Sequence, residues 1–147
     1  MRLMGLDVGD RRIGIALSDP LGFTAQGHST LERKSNDQVF ATISRLCEEF
    51  EVGKIVVGLP LNMNGSHGPR AQLVQEWAEQ LGERSGREIV FWDERLSTVS
   101  AQKILLEADL SRRKRKGLVD KIAAVYILQG FLDRQSQNKT AFDKSPG

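Results

Sequence analysis

An aspartate near the end of an otherwise apolar strand is the feature that most restricts the fold of this chain. Residues 3–8 read Leu-Met-Gly-Leu-Asp-Val, and Gly9 follows them. A strand that is apolar on both faces belongs inside a sheet that is covered on both sides. A carboxylate there costs several kcal/mol unless a cation or hydrogen-bond donors compensate it. Asp7 therefore either caps its own turn or belongs to a site that holds a cation.

Composition limits the classes of protein that need considering. The chain has 147 residues, of which 39% are hydrophobic, and this predicts a single domain over residues 1–134 with a frayed polar tail at 135–147. No apolar stretch is long enough to span a bilayer, and the N-terminal residues enter a strand without the layout of a signal peptide. Cys47 is the one cysteine, which excludes an internal disulfide and a cysteine-based zinc site. These features predict a cytoplasmic protein.

Hydrophobic periodicity predicts alternating strands and helices along the chain. Strands are predicted at residues 2–8, 12–18, 23–31, 54–59 and 88–92. Helices are predicted from a Ser35 cap to Glu51, from Pro69 through Leu81, from Ser97 or Ser100 to Ala108, and at residues 117–134. Three consecutive strands followed by helix–strand alternation predict an α/β fold. Its mixed five-stranded sheet has three antiparallel and two parallel strands, with helices on both faces.

Acidic side chains follow two of the predicted strands at the same edge of the sheet. The first strand ends with Asp7, and the fifth strand runs into Asp93, Glu94 and Arg95. Ligands of open α/β sheets bind at the carboxyl ends of the parallel strands, so these carboxylates could meet in space. The alternative for residues 93–95 is a solvated loop with a local ion pair.

The last predicted helix supplies a third acid. Asp120 lies about 70° from the centre of the apolar face of this helix, whereas Lys121 points nearly the opposite way. An acid in the first turn is also favourable with the helix dipole alone. If Asp120 joins the other two, carboxylates about 5 Å apart repel one another by roughly 3 kcal/mol per pair and require cations. Oxygen ligands suit Mg²⁺ or Mn²⁺, and two such ions can support phosphodiester hydrolysis without a nucleophilic side chain.

A run of five cations directly precedes this helix. Residues 112–116 read Arg-Arg-Lys-Arg-Lys, which in isolation is typical of a solvated loop. Here the run is placed to deliver a polyanion to the acidic residues, through phosphate contacts that depend on salt and little on base sequence. We therefore predict a nucleic-acid interface formed by Arg112, Arg113, Lys114, Arg115 and Lys116, with Arg11 and Arg12 adding to it.

Five segments of the chain together resemble the YqgF/RuvX family. They are Gly5–Gly9, Arg12–Asp19, Val57–Gly65, Asp93–Thr98 and Asp120–Ala124. The likeness extends in order from about residue 2 to residue 134. It implies an RNase H-like fold and a bacterial nuclease that matures the 5′ end of pre-16S rRNA, earlier regarded as a Holliday-junction resolvase by likeness to RuvC. Asp7, Glu94 and Asp120 match the acidic triad of the family. Asp93 remains open as a substitute for Glu94 or as its partner.

Three functions remain open at this point. A metal-dependent endonuclease acting on structured RNA, including ribosomal precursors, is favoured; the same chemistry on branched DNA is the second. The third is a nucleic-acid-binding module whose acids are structural. An actin-like ATPase, suggested by Asp7-Val8-Gly9, needs a second lobe and a second such motif, which the chain lacks. The sequence does not distinguish a monomer from a homodimer.

Overall fold

The computed structural model describes the backbone of residues 1–96 and 112–143 and the side chains of residues 1–96 and 118–136. The elements in chain order are β1 (Arg2–Val8), β2 (Arg12–Ser18), β3 (Ala25–Glu32), α1 (Asn36–Glu49), β4 (Val52–Leu59), α2 (Pro69–Ser85), β5 (Glu88–Asp93), a 3₁₀ turn (Glu94–Leu96) and α3 (Arg112–Asp143). The helix predicted from Ser97 or Ser100 to Ala108 lies outside the described residues. No helix in the described ranges is both long and apolar enough to cross a membrane.

The five strands form one mixed sheet in the order β3-β2-β1-β4-β5. The pairs β1–β2 and β2–β3 are antiparallel, whereas β1–β4 and β4–β5 are parallel. The predicted sheet of three antiparallel and two parallel strands is confirmed. Because β1 is the central strand, its carboxyl end lies between the carboxyl end of β4 and the start of β2.

Helices cover both faces of the sheet, as predicted. The face under α1 and α2 buries Met4, Leu6, Val8, Ile13, Ile15, Leu17, Phe40, Ile43, Trp77 and Leu81. The opposite face, under α3, buries Leu3, Ala16, Val56, Trp92, Ala123, Ala124, Ile127, Leu128 and Leu132. Side chains of a strand alternate between the two faces. Asp7, between Leu6 and Val8, therefore faces α3.

Two glycines allow α3 to approach the sheet closely. A Cβ atom at Gly5 would lie 2.6 Å from the Cβ of Leu128, and one at Gly14 would overlap the backbone carbonyl oxygen of Asp120. A side chain at either position would push the helix away from the sheet. The backbone of α3 at Asp120 consequently rests directly on β2.

The last helix is rotated from its predicted phase and is longer than predicted. Val119, Ala123 and Ile127 are buried, as the apolar spacing predicts. The same spacing predicts a buried Tyr126, but Tyr126 is exposed, and the additional buried residues are Ala124, Leu128 and Leu132. The sheet beneath α3 presents glycine and alanine, and the face of α3 that contains Ala123 and Ala124 packs against the sheet. The helix begins at Arg112, before the predicted start at Gly117, and it continues past Arg134. The first proline after Arg134 is Pro146, so no strong helix breaker ends the helix earlier.

Two local predictions for α1 are confirmed, namely the cap at Ser35 and, from the apolar spacing of the helix, a core position for Cys47. The Ser35 hydroxyl accepts a hydrogen bond from the backbone N–H of Gln38 at 3.2 Å and caps the helix. Cys47 is fully buried, and burial raises the pKa of its thiol to about 11. Cys47 is thus a small core residue. The apolar spacing of α2 predicts that Leu73 faces the core, but Leu73 is exposed, and Ala71 is buried instead.

Candidate active site at the carboxyl edge of the sheet

Asp7 lies between two glycines of the neighbouring strands. It is paired with Gly14 of β2. On the other side Leu6 is level with Val57 of β4, so the next residues, Asp7 and Gly58, lie side by side. Since neither glycine has a side chain, other parts of the chain can approach the sheet on both sides of Asp7. Asp7 itself is buried beneath α3, with only 7% of the residue exposed.

Asp120 lies above the first of these glycines. Its backbone carbonyl packs on Gly14, and the residue is 8% exposed. Its carboxylate accepts a hydrogen bond from the guanidinium of Arg12, with 3.0 Å between Arg12 Nε and Asp120 Oδ2. Asp7 and Asp120 are the two buried carboxyl residues in the described part of the chain. Asp120 was predicted to lie at the border of the buried face of the helix. In the structure it lies within that face.

Glu94 lies above the second glycine. A Cβ atom at Gly58 would be 2.8 Å from Glu94 Oε1 and 2.5 Å from the side chain of Ile127. Glu94 belongs to the 3₁₀ turn that follows β5 and is half-buried. The turn thus folds its carboxylate back over the sheet, toward the side on which Asp7 and α3 lie.

The three acids are therefore distributed over three adjacent strands on one face. Gly14, Asp7 and Gly58 span about 10 Å, because neighbouring strands are about 4.8 Å apart. The donors are all carboxylate oxygens, which fit Mg²⁺ or Mn²⁺, and the two glycines allow Asp120 and Glu94 to lie close to the sheet beside Asp7. Within the described ranges, no three His, Cys, Asp or Glu side chains are gathered closely enough to hold an ion. One oxygen of Asp120 is instead occupied by Arg12.

The structure gives Asp93 and Glu94 different surroundings. Asp93 is engaged by Arg95, whose Nη2 lies 2.7 Å from Asp93 Oδ2 and whose Nε lies 3.1 Å from both carboxylate oxygens. The side-chain hydrogen bonds from Arg95 hold the pKa of Asp93 below its ordinary value. The local ion pair considered for residues 93–95 therefore exists, and it joins Asp93 to Arg95. Glu94 is the acid that reaches the sheet surface near Asp7.

Arg95 also fixes a loop beside this edge. Its Nη1 donates to the backbone carbonyl of Met63 at 3.2 Å. The loop is closed by a hydrogen bond of 3.0 Å from the Asn62 N–H to the Ser66 carbonyl. Gly65 adopts a positive φ of 85°, which favours glycine. The contact between Arg95 and this loop was not predicted from the sequence. The only signal was the spacing of Asp93 and Arg95, which allows an ion pair that orients Arg95.

The predicted basic interface is described in part. Residues 112–116 form the first turns of α3, so the run is helical rather than a loop, while their side chains lie outside the described set. Arg11 is exposed in the turn between β1 and β2. Arg12 leaves this turn toward Asp120. The participation of all seven cations in nucleic-acid binding stays a prediction.

Comparison with known proteins identifies the relatives of this chain. The model of the family described as "RuvX: Holliday junction resolvase" matches residues 1–134. A protein of Syntrophomonas wolfei described as "Putative pre-16S rRNA nuclease" is 59% identical over 139 residues, which cover 95% of this chain and 99% of the relative. A Clostridium botulinum protein of the same description is 56% identical over 137 residues, covering 93% of this chain and 100% of the relative.

Solved structures of resolvases share the fold. RuvC of Thermus thermophilus, in complex with a Holliday junction substrate, superposes with a TM-score of 0.57 at 13% identity, covering 92% of this chain and 96% of RuvC. The Holliday junction resolvase of fowlpox virus gives a TM-score of 0.53 at 11% identity, covering 91% and 99%. At these identities the likeness concerns the fold alone. The RNase H-like fold expected from the sequence is confirmed.

Proposed function

The chain belongs to the RuvX family, and from that premise we propose that it is a cytoplasmic, divalent-metal-dependent endonuclease that processes the 5′ end of pre-16S rRNA. The observation that carries the proposal is the placement of Asp7, Asp120 and Glu94 over three adjacent strands of one face of the sheet. Two of these acids are buried, and the third is half-buried.

Two buried acids on one patch favour a site that binds cations. A buried carboxylate is costly without a compensating cation, and neighbouring carboxylates add their mutual repulsion. Arg12 offsets this cost for one oxygen of Asp120. Asp7, Glu94 and Asp120 are the residues that would hold Mg²⁺ or Mn²⁺ here. Two bound ions would supply an activated water and stabilisation of the leaving oxygen.

The residues around the acids would position the substrate. Gly14 and Gly58 have no side chains, so Asp120 and Glu94 can lie close to the sheet on either side of Asp7. The basic start of α3 lies two turns before Asp120 on the same helix. A nucleic-acid backbone held there would be delivered to the acids by charge and without base recognition.

Branched DNA is the second candidate substrate. It is supported by the description of the family and by the fold shared with the RuvC–junction complex. RNA is favoured because relatives at 56–59% identity are described as pre-16S rRNA nucleases, whereas the likeness to RuvC is at 13% identity. A binding module with structural acids is the alternative without catalysis.

One experiment separates these three functions. The purified protein is incubated with a pre-16S rRNA fragment and with a four-way DNA junction, in Mg²⁺ or Mn²⁺, beside the Asp120→Asn variant. We expect cleavage of the RNA and an intact junction. The cleavage rate of the variant should be about a thousandfold lower, because the variant lacks the charge of one proposed metal ligand. Junction cleavage would establish the DNA reading. Binding without cleavage of either substrate would establish the binding module.

The basic start of α3 can be tested through salt dependence. Replacing Arg112 or Arg115 by Ala should reduce the slope of log affinity for RNA against log salt by about 1 each, equally for unrelated sequences. Arg84→Ala is the matched control, because Arg84 pairs with Asp37 near the far end of α2. We expect the control to keep the wild-type slope. Unchanged slopes in all three variants would remove residues 112–116 from the interface.

A further inference from the structure

Arg12 holds the carboxylate of a proposed metal ligand. Its Nε lies 3.0 Å from Oδ2 of Asp120, although the two residues are 108 positions apart in the chain. The side chain of Asp120 is 12% exposed and that of Arg12 is 31% exposed. The pair is thus shielded on the acid side and open to solvent on the arginine side.

The hairpin between β1 and β2 places Arg12 there. The Gly9 N–H donates to the Arg12 carbonyl at 2.9 Å, which sets Arg12 at the first position of β2. Two residues later, Gly14 supports the backbone of Asp120 from the same face of the sheet. The cation is therefore fixed in place by the same hairpin whose other strand carries Asp7.

A metal ion and this guanidinium are poorly compatible on one carboxylate. An ion bound to Oδ2 at about 2.1 Å would lie within about 5 Å of Arg12 Nε, and the two positive charges would repel each other.

We propose that Arg12 and a divalent metal ion compete for Asp120, and that metal binding releases Arg12 to contact a phosphate of the substrate. This inference rests on the proposed function, because it takes Asp120 as a metal ligand. Without metal, Arg12 neutralises the buried Asp120 and is not available to bind a phosphate of the nucleic-acid backbone. With metal, the charge on Asp120 is satisfied by the ion, and the solvent-facing guanidinium becomes an anion contact at the edge of the site. Metal loading and substrate affinity are thereby coupled.

The first test measures metal binding without any substrate. Mn²⁺ is titrated calorimetrically into the wild type, Arg12→Gln and Arg84→Gln, and melting temperatures are recorded in chelator and in increasing Mg²⁺. Arg84→Gln removes an ion pair of the same 3.0 Å length that involves no proposed ligand. We expect Arg12→Gln to bind Mn²⁺ about tenfold more tightly than the wild type, a change of about 1.4 kcal/mol. It should also melt at a lower temperature in chelator, because Asp120 then lacks its counter-charge, and Arg84→Gln should bind Mn²⁺ as the wild type does.

The second test measures the released arginine. RNA affinity is measured against salt for the wild type and Arg12→Gln, in chelator and in Ca²⁺, which also takes oxygen ligands. The slopes should differ by about 1 in Ca²⁺ and coincide in chelator. Arg12→Lys keeps the charge and serves if Arg12→Gln does not fold; its Mn²⁺ affinity should lie between those of the wild type and Arg12→Gln.

The outcomes distinguish this inference from the proposed function. Equal or weaker Mn²⁺ binding by Arg12→Gln, with clear binding by the wild type, would overturn the competition and make Arg12 a residue that orients Asp120. Absence of Mn²⁺ binding in every variant would remove the metal site and, with it, the proposed function. Equal slopes in Ca²⁺ would overturn the release of Arg12 toward the substrate.

Discussion

Asp7→Asn is expected to lower metal-dependent cleavage by about a thousandfold, because it removes one negative charge from the centre of the acidic patch while keeping the shape of the side chain. Asp7 lies on the strand between Gly14, which is covered by Asp120, and Gly58, which is covered by Glu94. No other described acid can take its place. RNA affinity in chelator should be unchanged, since the predicted phosphate contacts come from cations elsewhere. The measurement is single-turnover cleavage with excess enzyme in Mg²⁺, alongside RNA binding in chelator.

Asp10→Asn is the matched control for this experiment. Asp10 lies three residues further on, is exposed and pairs with Arg70 at 3.1 Å. It should cleave like the wild type. Full cleavage by a pure preparation of Asp7→Asn would contradict the nuclease mechanism and favour the binding module.

Gly14→Ala is expected to destabilise the fold by about 1–3 kcal/mol and to reduce cleavage at the same time. The added Cβ would overlap the backbone carbonyl of Asp120. A backbone atom cannot rotate away as a side chain can, so α3 must move off the sheet and carry Asp120 with it. Chemical denaturation measures the first effect. Cleavage is compared at a temperature at which both proteins remain folded.

Gly27→Ala gives the appropriate comparison for Gly14→Ala. Gly27 lies on β3, and a Cβ there would approach Cγ of Lys121 at 2.7 Å. This neighbour belongs to a long flexible side chain, so the cost should be smaller and cleavage should be retained. Equal losses in the two variants would mean that close packing of α3, rather than the position of Asp120, governs both effects.

The sheet and its acidic edge could be predicted because the signals are local. Apolar runs mark the strands, and chain order with strand polarity then brings the ends of β1 and β5 to one edge. Asp7 was recognisable because a carboxylate in a buried strand is costly. Asp120 was recognisable because its position on the helix lies near the apolar side.

Other features depend on contacts that no local pattern contains. The phase of α3 follows from the glycines beneath it, which favour Ala124 over Tyr126 as the buried residue. Asp93 and Glu94 have the same chemistry and adjacent positions, and only the hydrogen bonds of Arg95 distinguish them. The pairing of Arg12 with Asp120 joins distant parts of the chain, and Arg12 alone reads equally well as a surface cation.

The seat of Asp120 on Gly14 has a consequence for attempts to alter this protein. Main-chain atoms on both sides, rather than interchangeable side chains, set the separation of helix and sheet there. Repacking the hydrophobic interior can therefore change stability without widening the proposed active site. An engineer who wishes to accommodate a bulkier substrate would have to redesign the backbone path of α3 itself.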